Sequence, residues 1–274
     1  MLNRAAALRP VADRSPCPDG RCGLRRRSLV RTGHAVCRVD ESLLLVRRWA
    51  TIGGDGLMAG LQRTGRLADD FYFMVHDDVS GPRLPDRILG LGLAGALLGE
   101  LGALGAIRVE DGEVILATAT PPPDPLAADV FAELEAERPL PVRDWLHYLG
   151  QGALDRVARR LAAEGLVFLK PPRINILGRA GRWTPTDITI AGWPAIDLKL
   201  KVFNGKADAH HLMLFGLTRA TGLNHPSLWE VRALLADGAA MDKILAPLGL
   251  SPPLLDLLAH TEAAVGSVVT SQRI

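Results

Sequence analysis

Apolar positions fall into periodic runs only from about Leu67 onward. Residues 67–83 set a short apolar segment between the acidic pairs Asp69-Asp70 and Asp77-Asp78 and close on Ser80-Gly81-Pro82, a turn signal. Aspartates flanking turns serve conformational ends, so both pairs read as caps. In residues 88–107 the only charge is Glu100. The length suits a membrane span of ~20 residues, but a mid-segment carboxylate and repeated glycines weaken that reading and predict a core helix buried all round. Residues 107–118 carry Asp111-Gly112 between β-branched flanks and predict a hairpin, ended by Pro121-Pro122-Pro123. Across 124–149, Val130, Leu134, Trp145, Leu146 and Leu149 recur at helical spacing, with Pro139 and Pro141 separating a pair of helices. Residues 154–166 form a further helix with Leu154, Val157 and Leu161 on one face and Gly165 as its cap.

The period then changes. Residues 166–169 and 174–177 are β-prone runs joined by Lys170-Pro171-Pro172-Arg173, a predicted hairpin, followed by a polar loop at 178–182 and a turn at 183–187. Helical pattern resumes at 209–221, at 227–248 with a break near Gly238, and at 253–271. The sum is a mainly α fold: a single compact helical domain around a buried Gly/Ala/Leu-rich helix, with a protruding β-hairpin. It is expected to occupy residues 66–274, preceded by a basic, disordered extension over 1–65.

Charge changes the picture. The net +2 of the whole chain hides an uneven distribution: the first fifty residues hold eleven arginines against four acids, and the remainder is net −5. A basic tail suits an acidic partner, and a mildly acidic body argues against binding a nucleic acid duplex. All three cysteines, Cys17, Cys22 and Cys37, lie in that tail, so the body rests on apolar burial without disulfides, as expected of a cytoplasmic protein. The first ten residues lack the apolar stretch of a secretory signal, although an arginine-rich, acid-poor start also fits an organelle transit segment.

Three constellations invite a chemical reading and fail it on context. Gly90-Leu91-Gly92-Leu93-Ala94-Gly95 has the spacing of a dinucleotide fingerprint, with Asp111 as a ribose-binding candidate, but the polar turn at 82–87 stands where an apolar strand is required. Its glycines read as close helix packing. Cys17, Cys22, His34 and Cys37 lack the paired spacing of a closed zinc site. His210 and His211, adjacent on a helix, point apart and do not chelate one ion together. No nucleophile stands beside a base in a known motif, so neither catalysis nor a metal or cofactor is expected.

The strongest signal is electrostatic. Between residues 156 and 182, Arg156, Arg159, Arg160, Lys170, Arg173, Arg179 and Arg182 face a single acid, Glu164. Arg156, Arg159 and Arg160 stand at i, i+3 and i+4, one side of a helix. Planar guanidinium forks suit the phosphate of a lipid head group, which makes Arg156, Arg159, Arg160, Arg173, Arg179 and Arg182 the candidate binding residues. Phe168, Ile174, Ile176 and Leu177 of the adjacent hairpin are the candidate oligomerisation surface.

Four segments in order resemble the Golgi phosphoprotein 3 family, which has bacterial as well as eukaryotic members. They are LADDFYFMVHDDVSG at 67–81, GLAGALLGEL at 92–101, RVARRLAAEGLV at 156–167 and RWTPTD at 182–187. The resemblance implies a mainly helical domain whose β-hairpin serves self-association. It also implies a peripheral protein that binds phosphatidylinositol 4-phosphate and holds membrane-protein tails. Where eukaryotic members carry a head-group tryptophan and arginines, this chain has Pro85, Ala94, Gln151 and Leu154, while Arg156 matches a family arginine. The expected function is therefore a cytoplasmic, peripherally membrane-associated protein that binds anionic phospholipid through an arginine-rich surface. The alternative is an oligomeric scaffold that takes a basic peptide or membrane-protein tail.

Overall fold

The glycine-rich run forms one helix with every residue from 88 to 101 buried, and the rest of the fold is arranged around it. The computed structural model describes residues 64–77, 81–171, 181–231 and 250–271. All of these residues fall within one unit, Met58–Ile274. Its described elements run α1 (Leu67–Val75), β1 (His76–Asp77), β2 (Gly81–Pro82), α2 (Asp86–Ala103), β3 (Ile107–Glu110), β4 (Glu113–Leu116) and α3 (Pro125–Ala136). There follow β5 (Leu140–Pro141), α4 (Val142–Gly150), α5 (Ala153–Ala163), β6 (Val167–Lys170), β7 (Arg182–Pro185), α6 (Ile188–Phe203), α7 (Ala209–Ala220) and α8 (Pro252–Ser271).

The central helix is α2, packed by α1, α4, α5, α7 and α8. Its glycines set how close those neighbours come. A Cβ on Gly90 would run into the carbonyl oxygen of Gly150 at the end of α4, and one on Gly95 would meet Thr261 of α8 at 2.8 Å. The fingerprint-like spacing is thus a packing surface, as the polar turn before it indicates. Among the described residues no helix is long and apolar enough to cross a membrane.

Among the described residues, three small antiparallel sheets decorate this core. In β3–β4, Ile107 pairs with Leu116 and Glu110 with Glu113, and Asp111 and Gly112 both take positive φ (50° and 76°), as a two-residue type I′ turn requires. The segment between Pro139 and Pro141 does more than keep α3 and α4 apart: Leu140 and Pro141 add a third strand to this sheet.

Two expectations need correction. Strand β6 pairs with β7, Val167 opposite Pro185 and Lys170 opposite Arg182, so Trp183 to Pro185 is a strand rather than a turn. Residues 188–203, for which no element was predicted, form α6, capped by Asp187 through the N–H of Thr189 and carrying Pro194 in its interior. The candidate residues Arg173, Arg179, Ile174, Ile176 and Leu177, the cysteines, His34, and most of the helix expected at 227–248 lie outside the described residues.

Candidate functional site

Arg160 does not belong to a solvent-facing arginine surface. On α5 the buried stripe is Ala153, Val157, Ala158 and Leu161, and Arg160 borders it closely enough to turn inward, its side chain 6% exposed. There its guanidinium meets three carboxylates. Nε and Nη2 donate to Asp69 at 3.0 and 2.7 Å, Nη1 and Nη2 to the two oxygens of Glu100 at 3.1 Å each, and Nη1 to Asp124 at 3.0 Å. Arg66 adds a second guanidinium, donating to Asp69, Asp124 and Glu164. Asp124 also caps α3 by accepting from the N–H of Ala127, and Glu100 accepts from the N–H of Ala68. The network ties α1, α2, α3 and α5 together. Burial pushes Asp69 and Glu100 upward against the pull of Arg160. At Asp124, burial acts the same way but is outweighed by the Ala127 N–H and the Arg160 guanidinium, which hold it below the usual carboxylate range. Asp69 is therefore a buried partner of arginine, not a turn cap.

The other two arginines of α5 remain outward. Arg156 pairs with Glu133 of α3 at 3.0 Å, and Arg159, 72% exposed, pairs with Asp155 one turn back at 2.6 Å. Asp155 also accepts from the indole N–H of Trp183 on β7 at 3.2 Å, which brings Arg159 beside the base of the hairpin. Lys170 and Arg182 stand opposite each other across that hairpin, and Phe168 and Leu169 of β6 are about half exposed, at 48% and 52%. Arg156, Arg159, Lys170 and Arg182 are thus on α5 and the sheet attached to it.

Pro85, Ala94, Gln151 and Leu154 have structural tasks here. Pro85 opens α2, Ala94 is fully buried, Leu154 packs against the core, and Gln151 closes α4.

A second concave feature was not legible in the sequence. Helices α1, α6 and α7 line a half-open cavity of about 280 Å³ whose charged and imidazole side chains are Asp70, Asp197, Asp208, His210 and His211. His210 Nε2 lies 2.8 Å from Asp70 Oδ2. His211 faces carboxylates at both ring nitrogens, Asp208 at 2.5 Å from Nδ1 and Asp197 at 3.2 Å from Nε2, the arrangement of an imidazolium donating to both. Burial opposes that charge, but hydrogen bonds to Asp197 and Asp208 outweigh it and raise His211 above the ordinary histidine value. The two rings stand at 79° to each other, so the adjacent histidines serve different partners, as expected of neighbours on a helix. Asp208 also caps α7 by accepting from the backbone N–H of His211 three residues on. That spacing is visible in the sequence. The rest of the wall, drawn from helices remote in sequence, is not.

No curated protein matches the chain. The family model described as Golgi phosphoprotein 3 (GPP34) matches residues 67–261, from the first residue of α1 to the middle of α8. Its span covers the buried helix, Arg160 with its three carboxylates and the β6–β7 hairpin, and on that match the chain belongs to the Golgi phosphoprotein 3 family.

Proposed function

We propose that the protein is a peripheral membrane protein of the cytoplasm that docks on anionic phospholipid through Arg156 and Arg159 of α5 and Lys170 and Arg182 of the hairpin, joined by Arg173 and Arg179 of the intervening sequence. The observation that carries this reading is the exposure of Arg159, 72% open to solvent and paired across the surface with Asp155, itself 56% exposed. Ion pairs as exposed as Arg159 with Asp155 contribute only about 0–1 kcal/mol, so a lipid phosphate exchanges for the carboxylate at little cost. Each basic residue near an anionic leaflet is worth about 1 kcal/mol. Family membership supports a phosphoinositide such as phosphatidylinositol 4-phosphate as the test lipid. The reading involves no catalytic step.

Flotation with neutral vesicles, phosphatidylserine vesicles and vesicles containing phosphatidylinositol 4-phosphate, at low and high salt, tests it. Binding to anionic vesicles that falls in an Arg156→Ala/Arg159→Ala variant is expected. Equal recovery with neutral vesicles, or no loss in the variant, would overturn it. Persistence at high salt with the phosphoinositide alone would identify a head-group pocket, because diffuse attraction is screened over ~8 Å at physiological ionic strength.

The exposed Phe168 and Leu169 favour a second reading, an adaptor that self-associates through the hairpin and takes basic peptides or membrane-protein tails on its acidic body. Sedimentation velocity separates the two: a Phe168→Ser/Leu169→Ser variant that falls from oligomer to monomer supports the adaptor. A wild-type chain that is already monomeric at micromolar concentration removes it.

A further inference from the structure

We propose that the cavity between α1, α6 and α7 binds a small organic cation, a protonated primary amine on a short alkyl stem. The argument starts from charge. Three carboxylates, Asp70, Asp197 and Asp208, share the wall with two imidazoles, so the wall keeps a net negative charge whatever the protonation of the histidines. Hydrogen bonding does not exhaust it: a carboxylate offers about four acceptor sites, and Asp70 meets His210 through a single oxygen. Pro194 in the same wall has no N–H for the carbonyl of Ile190, its partner four residues back, which removes that carbonyl's helical donor. An ammonium group brings three donors and no acceptor, the complement of this wall.

The remaining surface defines the stem. Phe73, Trp193 and Leu214 line the cavity, and an aromatic face attracts a cation as well as a hydrocarbon chain. At about 280 Å³ the space lies at the lower edge of the ~300–1,000 Å³ typical of ligand pockets, which restricts the guest to a small molecule. A bare metal ion fits poorly: among the described residues no group of three or more His, Cys, Asp or Glu side chains is arranged to hold one. Anions meet the carboxylates, and a neutral apolar guest strips them of water without replacing its hydrogen bonds. The inference stands on different residues from the lipid reading and survives its failure.

Calorimetric titration of the full chain with n-butylamine and 1,4-diaminobutane, against butan-1-ol as the uncharged isostere, tests it. Binding of the amines at least about tenfold tighter than the alcohol is expected, with a loss of about tenfold or more in Asp70→Asn. Asp256→Asn, on the exposed face of α8, leaves binding unchanged. Because Asp70→Asn also removes the contact to His210, Ile190→Trp, which fills the space and keeps every carboxylate, is the second variant and is expected to abolish binding. Equal affinity for amine and alcohol overturns the proposal, as does binding unchanged in Ile190→Trp. Binding seen only with a lysine-containing peptide also overturns it and assigns the charge to the exterior.

Discussion

Arg160 shows how one residue's role depends on partners that sequence neighbours do not reveal. The i, i+3, i+4 spacing groups it with Arg156 and Arg159, yet its carboxylates, Asp69 and Glu100, lie 91 and 60 residues away. Only the fold brings them together, so neither the burial of Arg160 nor the task of Asp69 was readable. Removing one partner of a buried ion pair leaves the others uncompensated, at a cost of about 3–5 kcal/mol. Arg160→Met keeps volume and discards charge, and is expected to lose that amount. In a domain of this size each kcal/mol moves the thermal midpoint by about 2–4 °C. Arg160→Lys, a point charge without the planar fork, is expected to recover only a fraction of the loss. Differential scanning calorimetry decides: a midpoint of Arg160→Met within about 2 °C of wild type would show the network to be energetically neutral. Gly90, by contrast, was legible, because a glycine-rich apolar helix with no strand before it has little use but close packing. Gly90→Ala forces a Cβ onto the Gly150 carbonyl and is expected to cost at least the ~1–3 kcal/mol of an overpacked core, measured by urea unfolding.

At the scale of elements, what could be read ahead of the structure followed local chemistry. Asp111-Gly112 specified its turn, Gly165 with φ of 74° ended α5, and Pro139 and Pro141 separated α3 from α4, because each acts through its own backbone. Strand β7 was read as a turn because Pro185 and Asp187 are turn residues, and its pairing with β6 joins runs that are not adjacent in sequence. Helix α6 was missed because its N-cap, Asp187, was read as the end of a turn, and Pro194 lies in its interior. One inter-element link is open to titration. His211 of α7 joins Asp197 of α6 to Asp208 at the N-cap, with His210 and Asp70 of α1 around the same cavity. Its folded pKa is raised above the unfolded value of about 6.5. Its stabilisation is therefore complete below that pH and is lost as the pH climbs through the folded value. The stability gap between wild type and His211→Gln should narrow with rising pH across that window in urea titrations. A gap that widens would mean that the imidazole is held neutral.

For the whole molecule, charge is divided between commitments inside the fold and cations presented outside. The seven basic residues between 156 and 182 do not form one uniform surface, since Arg160 is spent on the core and Arg156 and Arg159 each carry a carboxylate. Much of the positive charge lies instead in the first fifty residues, at net +7. If membrane docking draws on both regions, their contributions separate by salt. Diffuse attraction from a basic segment is screened within a Debye length, whereas arginines that exchange a carboxylate for a lipid phosphate keep short, charge-assisted hydrogen bonds. A chain shortened to Met58–Ile274 retains every described element and is expected to keep its thermal midpoint. Its binding to phosphatidylserine vesicles should weaken and lose salt sensitivity, while Arg156→Ala/Arg159→Ala should weaken binding in the long and short chains alike. Asp155→Ala, which releases Arg159, should strengthen it. Should the shortened chain bind as tightly as the full one at low salt, the folded surface alone accounts for docking. If it fails to bind at all, the docking surface is the basic segment, and the arginines of α5 play no role in it.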